Sequence, residues 1–343
     1  MDIFSKSIDG YIEHKKKLYE ANSELLIDDN HFRELYSSQV NRIVCIVCEM
    51  PSQQASIRLT VRGISYWSCT NCDHLNGDFL ETDEFCTSLY SSSISNDYGS
   101  AYFAESLESY NRRKDDIYLP KAKFLSNTMR KVSLDFDSSI VDYGCGSGYF
   151  VAAMRDLGFT SIQGLDVSES QIRHGNALIE GGTALHQVHS DDYLNQIKSF
   201  SPKVVSLLGV LEHLQRPTQR LKEISSIESV EYILISVPTF SMSIFLESVF
   251  PNVYPRQTSA GHTHLFSVNS LNHCTREATL TTIDSWWFGT DILDLVRSVS
   301  VELEIEARDQ WLLKMLPLVD GLQAVLDQNK WCSEVHQVLQ VNR

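Results

Sequence analysis

From residue 139 the chain repeats one unit, an apolar, β-branched strand followed by a glycine or an acid and then a helix. That alternation restricts the fold more than any other feature of the sequence. SIVDY precedes the helical YFVAAMRDLGF, SIQGLDV precedes ESQIRHGNALI, TALHQVH leads into a short acidic turn, KVVSLLGV precedes LEHLQRPTQRLKEI, and YILISVP opens a long loop. Strands alternating with helices of this length predict an α/β fold, a doubly wound and mostly parallel sheet with helices on both faces. Ligands of such sheets bind beyond the carboxyl ends of the strands, where the strand order reverses. At 343 residues the chain is long enough to enclose a sizeable core.

The first strand runs into Gly144, Gly146 and Gly148, set one residue apart in VDYGCGSGYF. A dinucleotide fingerprint would delay the third glycine by one residue, so a pyrophosphate ligand is disfavoured. The glycines still let the backbone approach a ligand and aim the amides of the next helix at an anion, which a carboxylate satisfies as well as a phosphate. Twenty residues beyond Gly146, GLDVS ends the second strand with Asp166, an acceptor placed to hold two ribose hydroxyls. Its plainer role would be a helix cap, which Ser168 can fill instead. Asp142, just before the turn, adds negative charge that suits a ligand carrying an ammonium or a sulfonium. S-adenosylmethionine (SAM) has both cations, a carboxylate, a ribose and an adenine.

VDYGCGSGYF, GLDVS, VHSDDYL and LLGVLEHLQRP, in this order and spacing, resemble the class I SAM-dependent methyltransferases over roughly residues 120 to 290. The resemblance implies a Rossmann-like sheet in which Asp142 and the three glycines surround the methionine part of SAM. Asp166 would hold the ribose and Asp191 the adenine amine, although Asp191 or Asp192 could instead cap a helix. Val210 and Leu211 would line the methyl-transfer site. Removing a proton from a hydroxyl or amine acceptor calls for a base. The candidates are His213 in VLEHL, beside Glu212, and His264 in AGHTHLFS, with His262 expected to face solvent. The plain alternative for His213 is a hydrogen bond to a backbone carbonyl. Three histidines from two loops are too thin a basis for expecting a metal site there.

Four of the eight cysteines form two CxxC units, Cys45–Cys48 and Cys69–Cys72, separated by twenty residues that include the β-prone IRLTVRGISYW. That spacing predicts a zinc ribbon with a closed, structural four-thiolate shell. A redox pair or a substitute ligand in His74 is the weaker reading. Amino-terminal zinc knuckles before a class I domain resemble some bacterial sugar methyltransferases and some ribosomal-RNA methyltransferases. The net charge of −15 repels phosphate backbones and argues against nucleic acid as partner.

The expected organisation is a helical segment at 1–40, the ribbon at 41–80, a connector at 81–119, the methyltransferase domain at 120–300 and a helical extension at 301–343. Tyr98, Tyr102 and Phe103 would pack the connector or close a lid. Trp286 and Trp287, adjacent in a strand, should face opposite ways, one into the core and one free for substrate or partner. Leu312, Met315, Leu316, Val319, Leu322 and Leu326 make an apolar stripe that covers the domain or forms a homodimer contact. No run is long enough to span a membrane and no apolar leader opens the chain, so residence in the cytoplasm is expected. The expected activity is transfer of the SAM methyl group to a hydroxyl or amine of a sugar or other small polar metabolite. RNA methylation on the ribbon and a non-catalytic SAM-binding partner or regulator are the alternatives.

Overall fold

The computed structural model describes residues 2–8, 20–82, 85, 106–179, 181–189, 192–259 and 261–343. Among the described residues, twelve strands form two sheets. In chain order they are β1 (Asp2–Phe4), β2 (Ala55–Val61), β3 (Ile64–Cys69), β4 (Leu75–Gly77), β5 (Ile140–Tyr143), β6 (Ile162–Asp166), β7 (Leu185–Gln187), β8 (Val204–Leu208), β9 (Tyr232–Pro238), β10 (His264–Leu265), β11 (Leu280–Phe288) and β12 (Glu334–Val341).

The large sheet has the order β1-β11-β12-β9-β8-β5-β6-β7. From β7 through β9 every neighbour is parallel, as the strand–helix alternation requires. Strand order reverses between β5 and β8, so the crevice at their carboxyl ends lies directly beyond the glycine turn. Strands β5, β8 and β9 are buried on both faces, which is why they read as Val/Ile/Leu-rich runs broken only by the buried Asp142, Ser206 and Ser236 and by tyrosines and a proline at their ends. Val141, Val205 and Ile233 pack on one face with Trp287, while Ile140, Val204 and Leu234 pack on the other with Trp286 and Phe124. The two tryptophans do face opposite ways, but both are core. Trp286 donates its indole N–H to the Ser5 carbonyl at 3.0 Å and Trp287 donates to Ser285 Oγ at 3.2 Å.

Both ends of the chain differ from expectation. Residues 22–37 are helical, yet Asp2–Phe4 adds a parallel strand to the edge of β11. The tail is helical at Ile305–Met315 and Val319–Gln328, and its stripe packs Leu312, Met315, Leu316, Val319 and Leu326 against Ile292, Leu293 and Val296. Glu334–Val341 is not helical. It is β12, inserted antiparallel between β9 and β11, so the sheet extends past the boundary expected at residue 300. The pattern EVHQVLQV carries Val335, Val338 and Leu339 into the core, while Gln337 is buried and His336 is enclosed by the Phe124, Trp286 and Phe288 rings, 3.7 Å from Glu334.

The small sheet, β10-β4-β3-β2, is built on the β2–β3 hairpin, which turns at Arg62 and Gly63, both in the left-handed region. Its fourth strand comes from far along the chain: β10 pairs with β4, and the Gly77 N–H donates to the Thr263 carbonyl at 2.8 Å. No described helix is long and apolar enough to cross a membrane.

Candidate active site and four-cysteine centre

At the end of β5 the backbone enters the left-handed region at Gly144, φ +75°. A Cβ there would lie 2.5 Å from Cγ2 of Val210, the residue that follows β8 and Gly209, so the turn and the β8 loop are in contact only because the side chain is missing. Gly148, also left-handed, starts the helix Tyr149–Asp156, and a Cβ on it would meet Ile179 and Leu185 at 2.7 Å. A Gly144→Ala substitution therefore combines backbone strain of about 1–2 kcal/mol with displacement of Val210. Weaker binding of S-adenosylhomocysteine (SAH), read by calorimetry on a still-folded protein, is the expected result.

Asp166 is tied to this turn. Its Oδ2 accepts the Gly146 N–H and its Oδ1 accepts the Ser168 N–H, each at 2.8 Å. Ser168 caps the helix Glu169–Leu178 through the Gln171 N–H, so the acid is not consumed as a cap. The Val167 amide also faces the carboxylate, and the acceptor capacity left beyond these three amides is open to an outside donor. Asp142 is 2% exposed and accepts the Ser206 hydroxyl at 2.6 Å. Burial pushes it up to about 7, with the nearby Asp166 charge adding to the rise and the Ser206 hydrogen bond opposing it.

Asp191 lies outside the described residues, as do Tyr98, Tyr102 and Phe103. Asp192 precedes the helix Tyr193–Ser199 and accepts from Asn195 Nδ2 at 2.9 Å without capping the backbone. An aromatic stack unread in the sequence closes the turn from the connector side. Tyr110 and Tyr118 lie 4.4 Å and 5.2 Å from the Tyr149 ring, and Tyr110 donates to the Ser147 carbonyl at 3.1 Å.

Beyond β8, the turn Leu211–His213 brings Glu212 and His213 against the loop that leads to β10. The structure separates the histidines differently from the sequence reading. His262, expected in solvent, is half-buried, with its ring centroid 4.9 Å from that of His213. His264 is buried against the ribbon, its Nδ1 2.9 Å from Nε2 of His74. On its other side, Nδ1 of His74 lies 3.2 Å from the Ser270 hydroxyl, so Ser270, His74 and His264 form one hydrogen-bonded chain. Burial holds both of these imidazoles well below their ordinary range, and His264 is therefore a poor base at neutral pH. Burial and the neighbouring His262 push His213 down to about 3, and burial pushes His262 down to about 4. Neither is poised to take a proton near pH 7.

Two charged groups that the sequence did not single out stand nearby. Lys121 Nζ donates to Glu334 Oε1 at 3.2 Å, which also accepts the Ser236 hydroxyl at 3.2 Å. Burial alone would raise Glu334, but Lys121, His336 and Lys6 outweigh it and pull the acid to about 2. Glu212, 2% exposed, is raised to about 8 by burial, with the Glu334 charge adding. Glu334 escaped notice because it belongs to β12.

The two CxxC units are copies of one knuckle. In each, the N–H of the first cysteine donates to the carbonyl five residues on (Met50, His74), and the N–H four residues on (Glu49, Asp73) returns to the first cysteine's carbonyl. Glu49 and Asp73 both take positive φ, 59° and 55°. The four sulfurs lie within 4.8 Å of one another, with Cys45–Cys72 at 3.6 Å and Cys48–Cys69 at 3.5 Å. Tetrahedral bonds of about 2.3 Å to zinc put the sulfurs about 3.8 Å apart, so the residues fit that ion. The module is not a free appendage: Cys45, Val47, Trp67, Cys69 and Cys72 share one apolar cluster with Val205, Leu271 and Cys274.

Human EEF1A lysine methyltransferase 2 is 32% identical over 100 residues, 29% of this chain and 36% of that protein. The chain thus spans about a third of the length of this curated relative. Among solved structures, magnesium protoporphyrin IX methyltransferase from Synechocystis PCC 6803 with bound SAH has 9% identity and a TM-score of 0.48, covering 76% of this chain and all of that one. The plantazolicin methyltransferase BpumL in complex with SAH has 16% identity and a TM-score of 0.46, covering 75% and 94%. The family described as "Methyltransferase domain" matches residues 110–285, just over half of the sequence, and the chain belongs to that family of SAM-dependent enzymes.

Proposed function

We propose that this protein transfers the methyl group of SAM to a hydroxyl or amine of a small polar acceptor, with a sugar as the leading class. The observation that carries the reading is the linked turn: Asp166 bound to the Gly146 and Ser168 amides, and Asp142 buried beside the glycines. Bound SAM supplies a methyl group on a sulfonium, a good leaving group. In this reading Asp166 accepts the ribose hydroxyls and Asp142 faces the cationic part of the donor. Gly144, Gly146 and Gly148 admit its methionine portion, Asp191 meets the adenine amine, and Val210 borders the transferred methyl. Cys45, Cys48, Cys69 and Cys72 hold a structural zinc.

Support for a small polar acceptor comes from the turn that follows Val210, which brings Glu212 and His213 together with His262. The −15 charge disfavours RNA. Calorimetry with SAH on the wild type and on Asp166→Ala tests the donor site: clear binding that falls at least about tenfold in the variant is expected, and no binding to the wild type would end the reading. A methyl-transfer screen over nucleotide sugars, with lysine peptides and RNA as competing classes, tests the acceptor.

Asp142 also makes donor binding pH-dependent. With its carboxyl at about 7 in the free protein, a cation beside it must displace a proton. SAH affinity is expected to weaken by up to about tenfold per pH unit below 7, and Asp142→Asn should flatten the profile. A wild-type affinity unchanged between pH 8 and 6 would contradict this role. For folding the sign is reversed: an acid raised by burial stabilises the fold while protonated, and that contribution is lost as pH rises through 7.

A further inference from the structure

Two loops at the carboxyl edge of the sheet, one after β8 and one before β10, converge three donors of the kind that metal ions take. The carboxylate of Glu212 and the imidazoles of His213 and His262 have ligand atoms within 4.8 Å of one another. We propose that these residues form a second metal site, separate from the four thiolates, that holds a first-row divalent cation and offers its open positions to the oxygen of the methyl acceptor.

Each ligand's surroundings support the assignment. Glu212 is 2% exposed and its Oε2 has no hydrogen-bond partner among the described residues, although a buried carboxylate oxygen without a donor is costly. A cation at that point satisfies it. Nδ1 of His262 donates to the Gln257 carbonyl at 3.1 Å, which fixes the tautomer and leaves the Nε2 lone pair as the ligand. A backbone carbonyl behind an imidazole is the usual outer support of a metal-bound histidine. His213 is likewise engaged by the backbone of Gly261.

Two nitrogens and one carboxylate, with no sulfur, select manganese, iron, cobalt or zinc over calcium or copper(I). Bond lengths of about 2.0–2.2 Å would draw the three donors to about 3–3.5 Å apart. Three protein ligands also leave positions open, unlike the closed cysteine shell.

The site's place gives it a task, and this step rests on the donor-site reading above. Val210, which begins the turn bearing Glu212 and His213, packs against Gly144 of the glycine turn. An acceptor hydroxyl on the cation loses its proton more easily, and the proton passes to solvent. The acceptor oxygen then forms its bond to the methyl carbon as the sulfur–carbon bond breaks and its electron pair returns to sulfur. None of the three depressed or raised side chains then has to serve as a base.

The test uses the full chain with its zinc in place, titrated with Mn²⁺ and followed by the electron paramagnetic resonance signal of the free ion. One Mn²⁺ per chain is expected, with relaxation of solvent protons reporting exchangeable water on the bound ion. Glu212→Gln and His262→Gln should each weaken uptake by at least about tenfold while leaving SAH affinity within about twofold. No uptake by the wild type, or undiminished uptake by both variants, overturns the site; bound Mn²⁺ without exchangeable water overturns its acceptor role. If SAH fails to bind the wild type, the donor-site reading falls, and the Mn²⁺ result still decides the metal site separately.

Discussion

Cys69→Ser protein is expected to come out of purification with little or no zinc, to melt well below the wild type, and to lose methyl transfer while still binding SAH. Glu49 and Asp73 hold left-handed backbone at the mouth of each CxxC turn, a conformation that costs about 1 kcal/mol per residue and needs the surrounding structure to impose it. Structural zinc contributes on the order of 10 kcal/mol in small modules, so removing one of four thiolates costs several kcal/mol. The loss also reaches the methyltransferase sheet, because the ribbon cysteines share a core cluster with Val205 and Leu271.

The functional consequence follows from β10. Its two residues pair with β4 of the ribbon, Ser267 Oγ donates to the Cys72 carbonyl at 2.9 Å, and His264 hydrogen-bonds His74. The loop that carries His262 is therefore fixed at its far end by the four-cysteine module. Asp166 and the glycine turn sit on β5 and β6, away from that attachment. Hydrogen exchange should show residues 256–266 deprotected in Cys69→Ser, with the turn at 144–148 still protected by SAH. Wild-type protection of 256–266 in a zinc-free variant would sever this link.

How far the sequence could be read depended on whether the determinant was local. The glycine turn, Asp142, Asp166 and the Ser168 cap are determined by backbone geometry within a few residues, and each sits where the pattern placed it. The parallel half of the sheet was legible for the same reason, since strands buried on both faces cannot avoid predominantly apolar runs. His262 and His264 are separated by one residue, and what distinguishes them is His74, far away in sequence, which captures His264. No spacing rule could supply that partner. Strand β12 was hidden differently. Four polar residues in EVHQVLQV masked a strand that is buried along most of its length, because His336 and Gln337 are enclosed by the Lys121–Glu334 group and the neighbouring strands. The preceding helical stripe also gave no sign of where helix stopped.

That strand sets up the prediction with the largest effect on stability. If residues 301–343 were only a helical cover, ending the chain after Asn329 would leave a folded, weakened enzyme. With β12 between β9 and β11, the same truncation unpairs both neighbours along their length. Val335, Val338 and Leu339 are each at most 2% exposed, and burying three such side chains is worth roughly 5–9 kcal/mol, comparable to the entire stability margin of a typical domain. The truncation also exposes two long apolar strand edges, which favour aggregation. The expected product is insoluble, with no cooperative melt and no SAH binding. Removing only Asn342 and Arg343 is the control: it costs contacts to Thr281, Ile227 and Val230 at the rim and should leave a soluble protein that binds SAH. Leu339→Asp in the full chain tests the same point without changing its length, since it places a carboxylate in a fully buried position. A truncated protein that melts cooperatively and binds SAH like the control would mean that β12 is dispensable, and that the sheet closes between β9 and β11 without it.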